Sequence, residues 1–283
     1  MAIEKVLIIA NPQKAEAEAL AKEMQMFLRG RNVHADISEF STQFSSYGNL
    51  DIHSDYNLVI TLGGDGTVLS AARKVAPTPI FPINLGNVGF MTEVKKEAWQ
   101  SDLEHILAGE IRTVERHMLS FSLIRNGRIN RTGDALNDVV VSASGISKLL
   151  NLTVHIDDIE RIEYRADGII FSTSTGSTAY SAAAGGPILH PDLAAIILNP
   201  ICPFTLSHRP LVLPASAKLR VEIQSWQRTD LMLSVDGQES YELLPGDELG
   251  ISSSETSAKM LYSRNRNFYE VLRSKLNWAG GPE

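Results

Sequence analysis

The sequence predicts an α/β N-terminal domain, in which helices cover a parallel sheet, followed by an all-β, sandwich-like C-terminal domain. In the first third of the chain, short apolar runs alternate with amphipathic helical patterns, which is typical of a parallel sheet with helices on its faces. From about Thr113 to Gly250, helical periodicity is scarce and short apolar runs follow one another, which indicates a β-rich domain. The length of 283 residues suits about two domains.

Strands and helices alternate in the N-terminal part. The runs Val6–Ala10 (VLIIA) and Leu58–Leu62 (LVITL) are almost wholly apolar, as expected for buried strands. The apolar spacing over Lys14–Arg29 predicts an amphipathic helix, and Gly30 is a natural C-cap. The remaining elements predicted in this part are the strands Val33–Ile37 and Pro79–Asn84, a short helix over Val68–Val75 and a helix from Trp99 to near Gly109.

The C-terminal part is predicted to consist mainly of strands. Asn126-Gly127 is a strong hairpin signal, and it follows the apolar run Phe121–Arg125. The single helical pattern in this part covers Thr178–Ala184. The other predicted strands are Val139–Ser142, Leu152–Ile156, Ile159–Tyr164, Ile169–Ser172, Lys218–Gln224 and Leu231–Val235.

The pattern changes again near the C-terminus. Lys259–Tyr262 is a predicted strand, and the apolar spacing from Phe268 to Leu276 suits an amphipathic helix like those of the first third. We therefore expect an α/β domain over residues 1–113, a β-rich domain over 114–250, and a segment 251–283 that returns to the α/β domain.

Charge and composition exclude several functional classes. The chain has 26 Lys and Arg against 33 Asp and Glu, and a formal net charge of −7 argues against a nucleic-acid-binding domain. Neither a membrane-helix pattern nor a secretory signal is visible. Cys202 is the only cysteine, so an internal disulfide is excluded, which favours either a reducing compartment or a fold that needs no disulfide. We expect a soluble, cytoplasmic protein that binds neither membranes nor nucleic acid, and no zinc site is predicted.

A glycine-rich turn, Gly63–Thr67 (GGDGT), lies between a predicted buried strand and a helix. In an open α/β sheet, ligands bind at this end of the strands. Glycines let the backbone approach a phosphate at the helix N-terminus, and Thr67 is a candidate N-cap. Leu69 excludes the GxGxxG pattern, and the chain contains no P-loop.

Asp65 in this turn allows two interpretations. In the first, the side chain only closes the turn by hydrogen bonding to its own backbone. In the second, the residue is functional. A carboxylate among phosphate-binding glycines repels phosphate, so it would be retained to hold a metal ion or to remove a proton.

Further segments contain candidate binding residues. They are a second glycine-rich turn at Asn84–Phe90, the dipeptide Asn137-Asp138, the pair Arg165 and Asp167, and the hydroxyl-rich Thr173–Tyr180. The second turn follows the next strand and would lie at the same edge of the sheet as the first. Residues 165 and 167 would point to the same side if both lie in one strand. Each of these segments also suits a purely structural role in a loop, a hairpin or a packed corner.

Taken together, these segments resemble the NAD kinase family, whose members phosphorylate NAD to NADP. The resemblance covers about residues 5–240 and is carried by Gly63–Thr67, Asn84-x-Gly86-x-x-Gly89-Phe90, Asn137-Asp138, Asp167-Gly168, Thr175–Tyr180 with Gly185-Gly186-Pro187, and Arg209-Pro210. The first motif is shared with diacylglycerol and sphingosine kinases and, more loosely, with phosphofructokinases. The chain departs from the usual pattern at Asp138, Ser174 and Ala183, where many members have Glu, Pro and Ser.

The resemblance implies a site between an α/β domain and a β-sandwich, ATP or polyphosphate as phosphoryl donor, Mg²⁺ or another divalent cation, and a homodimer or homotetramer. It implies that Asp65 is the general base toward the 2′-hydroxyl of the adenosine ribose. Gly63, Gly64, Gly66 and Thr67 would form the donor-phosphate loop, with Gly66 also beside NAD. The other implied NAD contacts are Asn137 and Asp138 at a ribose, Arg165 and Asp167 at the nicotinamide end, Thr178, Ala179 and Tyr180 along the dinucleotide, and Lys148 near a phosphate. The metal ligands stay unassigned.

Two other functions share part of this pattern. A lipid kinase would have the same glycine turn, but it should also have an apolar cleft or a membrane-binding face, and no basic amphipathic stretch for such a face is visible. A non-catalytic dinucleotide sensor would keep the binding residues but could lack the carboxylate of the glycine-rich turn. The presence of Asp65 in that turn therefore favours an enzyme.

Overall fold

The computed structural model describes residues 3–39, 55–86, 89–92, 94–110, 113–144, 149–157, 159–205, 207–226, 230–262 and 268–278. The chain divides into an α/β unit, Met1–Glu115 with Ala258–Glu283, and a β unit, Arg116–Ser257. The divisions fall after Glu115 and Ser257, whereas the sequence analysis placed them after residues 113 and 250.

In the α/β unit, strands alternate with helices. The strands are β1 (Lys5–Ala10), β2 (His34–Glu39), β3 (Leu58–Gly63), β4 (Ile80–Asn84), β5 (Val94–Lys95) and β6 (Thr113–Arg116), and the helices are α1 (Ala17–Arg29), α2 (Asp65–Val75) and α3 (Trp99–Leu107). β1 pairs in parallel with β2 and β3, and β3 pairs in parallel with β4. All side chains of β3 and β4 are buried, and α1 packs on the sheet through Ala17, Ala21, Met24 and Leu28. The predicted parallel sheet covered by helices is confirmed.

The β unit contains twelve strands among the described residues. They are β7 (Leu119–Arg125), β8 (Arg128–Ala135), β9 (Asp138–Ala143), β10 (Leu150–Ile156), β11 (Glu160–Ala166), β12 (Gly168–Thr173), β13 (Ala195–Ile201), β14 (Leu211–Pro214), β15 (Leu219–Ile223), β16 (Leu231–Val235), β17 (Glu239–Leu243) and β18 (Glu248–Ser253). A 3-10 turn (Gly176–Thr178) and the short helix α4 (Tyr180–Ala183) follow β12.

Two antiparallel sheets of the β unit share one core. Their strand orders are β11-β10-β15-β18-β7-β8 and β14-β13-β12-β9-β16-β17. Phe121 and Val221 from the first sheet join Val141 and Phe171 from the second in one buried apolar cluster. The sheets therefore pack face to face, and the predicted sandwich-like domain is confirmed.

After the β unit, the chain returns to the α/β unit. β19 (Ala258–Leu261) inserts beside β4, which gives the order β2-β1-β3-β4-β19-β6, and β5 also pairs with β4. The helix α5 (Phe268–Leu276) follows and buries Val271 and Leu272. No helix in these described parts is long and apolar enough to cross a membrane.

Several elements differ from the sequence prediction. α2 begins at Asp65 rather than Val68, with Gly64 as N-cap, so the predicted capping role of Thr67 is wrong. Thr67 lies inside the first turn, where its buried hydroxyl accepts a hydrogen bond from Asn11. The helix predicted over Thr178–Ala184 is reduced to the 3-10 turn and α4. Several strands were missed. β13 contains Pro200, a residue that argues against a strand, and β17 contains the two charged residues Glu239 and Glu242.

Candidate active site

The turn between β3 and α2 is open on the side of the helix start. β3 ends at Gly63, and Gly64 adopts an extended backbone as the N-cap of α2. A Cβ on Gly63 would overlap the Thr67 hydroxyl, so Gly63 is required by packing, whereas a Cβ on Gly64 would meet nothing within 4 Å. The helix start therefore faces open space at Gly64, which suits the binding of an anion.

The Asp65 carboxylate is bonded to the second glycine-rich turn and not to its own. Oδ2 accepts a hydrogen bond from the backbone N–H of Phe90 at 2.8 Å. Oδ1 accepts from the backbone N–H groups of Met91 and Thr92, at 3.2 and 3.0 Å, and from the Thr92 hydroxyl at 2.8 Å. The bond to its own turn, the first of the two interpretations, is therefore replaced by four bonds to a distant segment, three on Oδ1 and one on Oδ2.

The second glycine-rich turn is also hydrogen-bonded to the end of β4. Asn84, the last residue of β4, donates from Nδ2 to the carbonyl and hydroxyl oxygens of Thr92, at 2.9 and 3.1 Å. Its Oδ1 accepts from the N–H of Gly86 at 2.6 Å. A Cβ on Gly89 would overlap the Asp65 carboxylate, so only glycine allows this close approach. Residues 87–88 of the turn lie outside the described residues.

These contacts depend on the pairing of β3 with β4. Gly63 lies opposite Asn84 in the parallel register, and Leu85 N–H donates to the Gly63 carbonyl at 3.0 Å. The prediction that the two glycine turns lie at one edge of the sheet is thus confirmed. Phe90, the last residue of this turn, is half-buried.

In the β unit, the segment that contains Asn137 and Asp138 lies against the hydroxyl-rich segment. Asp138 is the buried first residue of β9, and Asn137 immediately precedes that strand. The Asn137 carbonyl accepts from Thr173 N–H at 2.8 Å and from the Ser172 hydroxyl at 3.2 Å. A Cβ on Gly176 would overlap this carbonyl, which explains the need for glycine there.

Three polar atoms in this region are buried without a hydrogen-bond partner in the described part of the chain. They are Asn137 Oδ1, Ser174 Oγ and Thr175 Oγ1. Leaving a buried polar group unpaired costs about 1–3 kcal/mol, so such a group points to a ligand or a bound water. Ser174 and Thr175 were not among the binding residues implied by the resemblance. Only the density of hydroxyl residues in the sequence pointed to them.

Thr178 ends the 3-10 turn, Ala179 follows it, and Tyr180 is the first residue of α4. The Thr178 hydroxyl donates to the Thr175 carbonyl at 3.4 Å, while the Tyr180 side chain is 47% exposed. Asn199 on β13 donates from Nδ2 to the Ser181 carbonyl at 3.0 Å and so fixes α4 against the sheet. Tyr180 therefore presents its ring from a fixed backbone.

Arg165 and Asp167 do not share a strand. Arg165 lies near the end of β11, where its guanidinium is 4.8 Å from the ring centroid of the exposed Phe204. Asp167 lies in the turn between β11 and β12, with its backbone bonded to Ile201 and Ala143. The alternation argument for these two residues is therefore wrong, although they remain close in sequence. Lys148 lies outside the described residues.

The electrostatics of the β unit single out Asp138. Burial, and after it the negative charge of nearby Asp236, raise the pKa of Asp138 to about 7. A buried acid with such a pKa exchanges its proton near neutrality, which is common at functional sites. Among the described residues, no group of three or more His, Cys, Asp or Glu side chains is placed to hold a metal ion.

Comparison with known proteins covers both units. Residues 6–111 match the ATP-NAD kinase N-terminal domain, and residues 136–263 match the ATP-NAD kinase C-terminal domain. The chain belongs to the NAD kinase family. It is 44% identical to an NAD kinase of Treponema denticola over 98% of both chains, and 37% identical to one of Citrifermentans bemidjiense over 98% of this chain and 99% of the other.

Solved structures of the NAD kinase family have the same fold. An NAD kinase from Archaeoglobus fulgidus in complex with ATP superposes with a TM-score of 0.76 at 26% identity, over 95% of this chain and 99% of the other. Yeast NADH kinase complexed with NADH superposes with a TM-score of 0.85 at 23% identity, over 99% of this chain and 89% of the other. The family and the NAD kinase activity expected from the sequence motifs are confirmed.

The raised pKa of Asp138 predicts a pH-dependent stability. The folded state keeps the Asp138 proton up to about pH 7, whereas the unfolded chain loses it near the ordinary value of 3.8. Stability from this group therefore falls as the pH rises from about 4 to about 7, by at most roughly 4 kcal/mol. Asp138→Asn removes the titration, so the variant should gain stability over the parent progressively across this range and keep that gain at pH 8.

Thermal melting between pH 4.5 and 8 checks this prediction. Asp157→Asn is the matched control, because Asp157 is an exposed acid in a hairpin turn and its Asn variant keeps the acceptor for Lys218 N–H. If the melting temperatures of both variants differ from that of the parent by the same amount at every pH, the prediction is contradicted.

Proposed function

We propose that this member of the NAD kinase family phosphorylates NAD with ATP through the residues described above. The enzyme transfers a phosphoryl group from ATP to the 2′-hydroxyl of the adenosine ribose of NAD, giving NADP. The observation that carries the assignment is the Asp65 carboxylate, held by a second turn beside an open helix start in a chain whose relatives are NAD kinases over nearly their whole length. This coverage favours NAD over a lipid as the acceptor.

The donor phosphates are proposed to bind at the start of α2. Gly64 leaves space beside the first helical turn, and Gly63, Gly66 and Thr67 complete the loop. The positive end of the helix dipole favours phosphate there. A related NAD kinase that matches this fold has been solved in complex with ATP.

The divalent cation is proposed to be Mg²⁺, held mainly by the ATP phosphates. Mg²⁺ commonly uses one or two carboxylates together with substrate phosphates rather than a cage of protein ligands. The described residues, which lack a cluster of metal-binding side chains, suit this mode. When bound, Mg²⁺ neutralises the charge on the phosphates during transfer.

NAD is proposed to bind the β unit at the buried hydroxyl-rich region. Asn137 and Asp138 would hold a ribose, and the unpaired oxygens of Ser174 and Thr175 would add contacts. The remaining proposed contacts are Gly66, Thr178, Ala179, Tyr180, Arg165, Asp167 and Lys148. A structural relative complexed with NADH supports a dinucleotide as the ligand.

Asp65 is proposed to be the general base. A carboxylate orients the attacking hydroxyl and accepts its proton in several phosphoryl-transfer enzymes. In the present arrangement, Oδ1 of Asp65 accepts three hydrogen bonds and Oδ2 accepts one, from Phe90 N–H, so Oδ2 keeps an acceptor position for the substrate hydroxyl.

We also propose self-association as a homodimer or homotetramer, as the family resemblance implies. β14 is an edge strand, and its Leu211 and Val212 are 39% and 45% exposed. An apolar edge of this kind tends to pair with another chain. A cytoplasmic location is proposed on the single cysteine, Cys202, and cell fractionation would test it.

An acceptor analogue tests the proposed reaction. With ATP, Mg²⁺ and NAD, the enzyme should form NADP that an NADP-specific dehydrogenase detects, and chelation of Mg²⁺ should stop the reaction. NAD that lacks the 2′-hydroxyl on the adenosine ribose should compete with NAD but accept no phosphate, because the nucleophile is missing. Transfer of labelled phosphate to this analogue would contradict the assignment.

Paired variants test Asp65 as the base. Asp65→Asn removes the proton acceptor and should lower kcat by about 10²–10⁴-fold. Thr92→Val keeps the carboxylate and removes one of its hydrogen bonds, so we expect kcat within roughly tenfold of the parent enzyme. Melting temperatures of both variants show whether each still folds. Equal losses of kcat would mean that Asp65 acts only by fixing the second turn.

A charge on the exposed edge strand tests the proposed assembly. Val212→Lys should shift the protein toward a smaller species in light scattering, because a buried charge is costly at an interface. Ile129→Lys is the matched control, since Ile129 is 69% exposed on β8, an edge strand of the other sheet. A parent protein that is an active monomer at assay concentration would refute self-association, and an unchanged Val212→Lys oligomer would refute this edge as the interface.

A further inference from the structure

Asp236 lies in the hairpin turn between β16 and β17, yet its carboxylate is buried. Its backbone is left-handed (φ 52°), and so is that of Gly237 (φ 63°). Aspartate and glycine both tolerate this conformation. Asp236 is only 8% exposed, which is unusual for an acid on a hairpin turn.

Three consecutive backbone N–H groups converge on the Asp236 carboxylate. Oδ2 accepts from Leu136 N–H at 3.0 Å, and Oδ1 accepts from the N–H groups of Asn137 and Asp138, at 2.7 and 3.0 Å. In return, the N–H of Asp236 donates to the Asp138 carbonyl at 2.9 Å. Successive N–H groups that point to one anion form a strong local binding arrangement, and here the anion is a side chain of the same protein.

The same short segment is bonded on its other side to the hydroxyl-rich region. The Asn137 carbonyl accepts from Thr173 N–H, and the Leu136 carbonyl accepts from the Thr173 hydroxyl at 2.6 Å. Residues 136–138 therefore lie between Asp236 and Thr173. The Asn137 Oδ1 atom, by contrast, is buried without a partner.

The charge of Asp236 repels the neighbouring acid Asp138. Asp236 places a second buried acid beside Asp138, and that charge contributes to the raised pKa of Asp138. A neutral residue would avoid the repulsion but would not accept three N–H groups, because only an ionised carboxylate has acceptor positions on both oxygens and no hydrogen.

We propose that Asp236 is a positioning residue for NAD. Its carboxylate fixes the backbone of residues 136–138 so that the side chains of Asn137 and Asp138 meet the dinucleotide without rearrangement. This inference rests on the proposed role of Asn137 and Asp138 in NAD binding. It adds a residue that lies about a hundred positions further along the chain and makes no contact with substrate itself.

The first test compares Asp236→Asn with the parent enzyme. The new NH₂ group would face backbone N–H groups, so at least one of them loses its acceptor and the segment shifts. We expect KM for NAD to rise roughly 10- to 100-fold, as for the loss of one hydrogen bond to a charged group. KM for ATP and kcat at saturating NAD should change little.

Asp247→Asn is the matched control for a merely structural effect. Asp247 is also a buried turn acid of the β unit, and its carboxylate accepts from Leu244 N–H and from Arg125. This variant should lower the melting temperature without changing KM for NAD. An Asp236→Asn variant that likewise loses only melting temperature would overturn the inference.

Asn137→Ala separates this inference from the proposed NAD site. If Asn137→Ala raises KM for NAD and Asp236→Asn does not, only the role of Asp236 fails. If neither variant changes KM for NAD while NADP is still formed, the NAD site itself is misplaced, and the inference falls with it.

Hydrogen exchange on the parent enzyme keeps the inference testable if Asp236→Asn does not fold. The amides of residues 136–138 should already be protected in the absence of NAD, because Asp236 accepts their hydrogen bonds. Free exchange without NAD, with protection only after NAD is added, would mean that the segment is ordered by the ligand and not by Asp236.

Discussion

The parallel register of β3 against β4 sets Gly63 opposite Asn84, and the contacts of the Asp65 carboxylate follow from that pairing. The register brings the ends of both strands to one edge of the sheet, so that the turn after each strand meets the other. Asp65 then accepts hydrogen bonds from three consecutive N–H groups and a hydroxyl of the second turn. Asn84, at the end of β4, is hydrogen-bonded to the same turn. A shift of one residue in this register would separate the carboxylate from all of these donors.

In the β unit, a carboxylate is bonded in a similar way at the proposed ligand-binding region. Asp236 accepts three consecutive N–H groups, from Leu136 to Asp138, as Asp65 does from Phe90 to Thr92. In both places, an acid from one element fixes an irregular segment of another element. Regular strand pairing would leave these N–H groups without acceptors. In each place a carboxylate supplies the acceptors, so no further strand is needed.

The two acids differ in what they leave free for chemistry. Asp65 is itself the proposed base, and the remaining acceptor position on its Oδ2 is proposed to meet the substrate hydroxyl. Asp236 stays in its bonds throughout, and the neighbouring Asp138, whose pKa is raised to about 7, is the group whose proton can change. Buried polar atoms on Asn137, Ser174 and Thr175 show that this region is built with more hydrogen-bonding capacity than the described residues satisfy.

Local sequence patterns were sufficient for the fold class, most strands and the NAD kinase family. Apolar runs such as Leu58–Leu62 identify buried strands, and the motifs at Gly63–Thr67 and Thr175–Tyr180 are contiguous in sequence. Strands with a proline or charged residues, such as β13 and β17, were missed because their patterns are weak.

Only the tertiary structure decided which groups bond to which carboxylate. Asp65 meets Phe90 25 positions away, and Asp236 meets Leu136 100 positions away. Sequence spacing carries no information on such contacts, because strand order and register bring these residues together. The N-cap at Gly64, the bonds of Asp65 to the second turn and the positioning acid Asp236 are therefore properties of the folded chain alone.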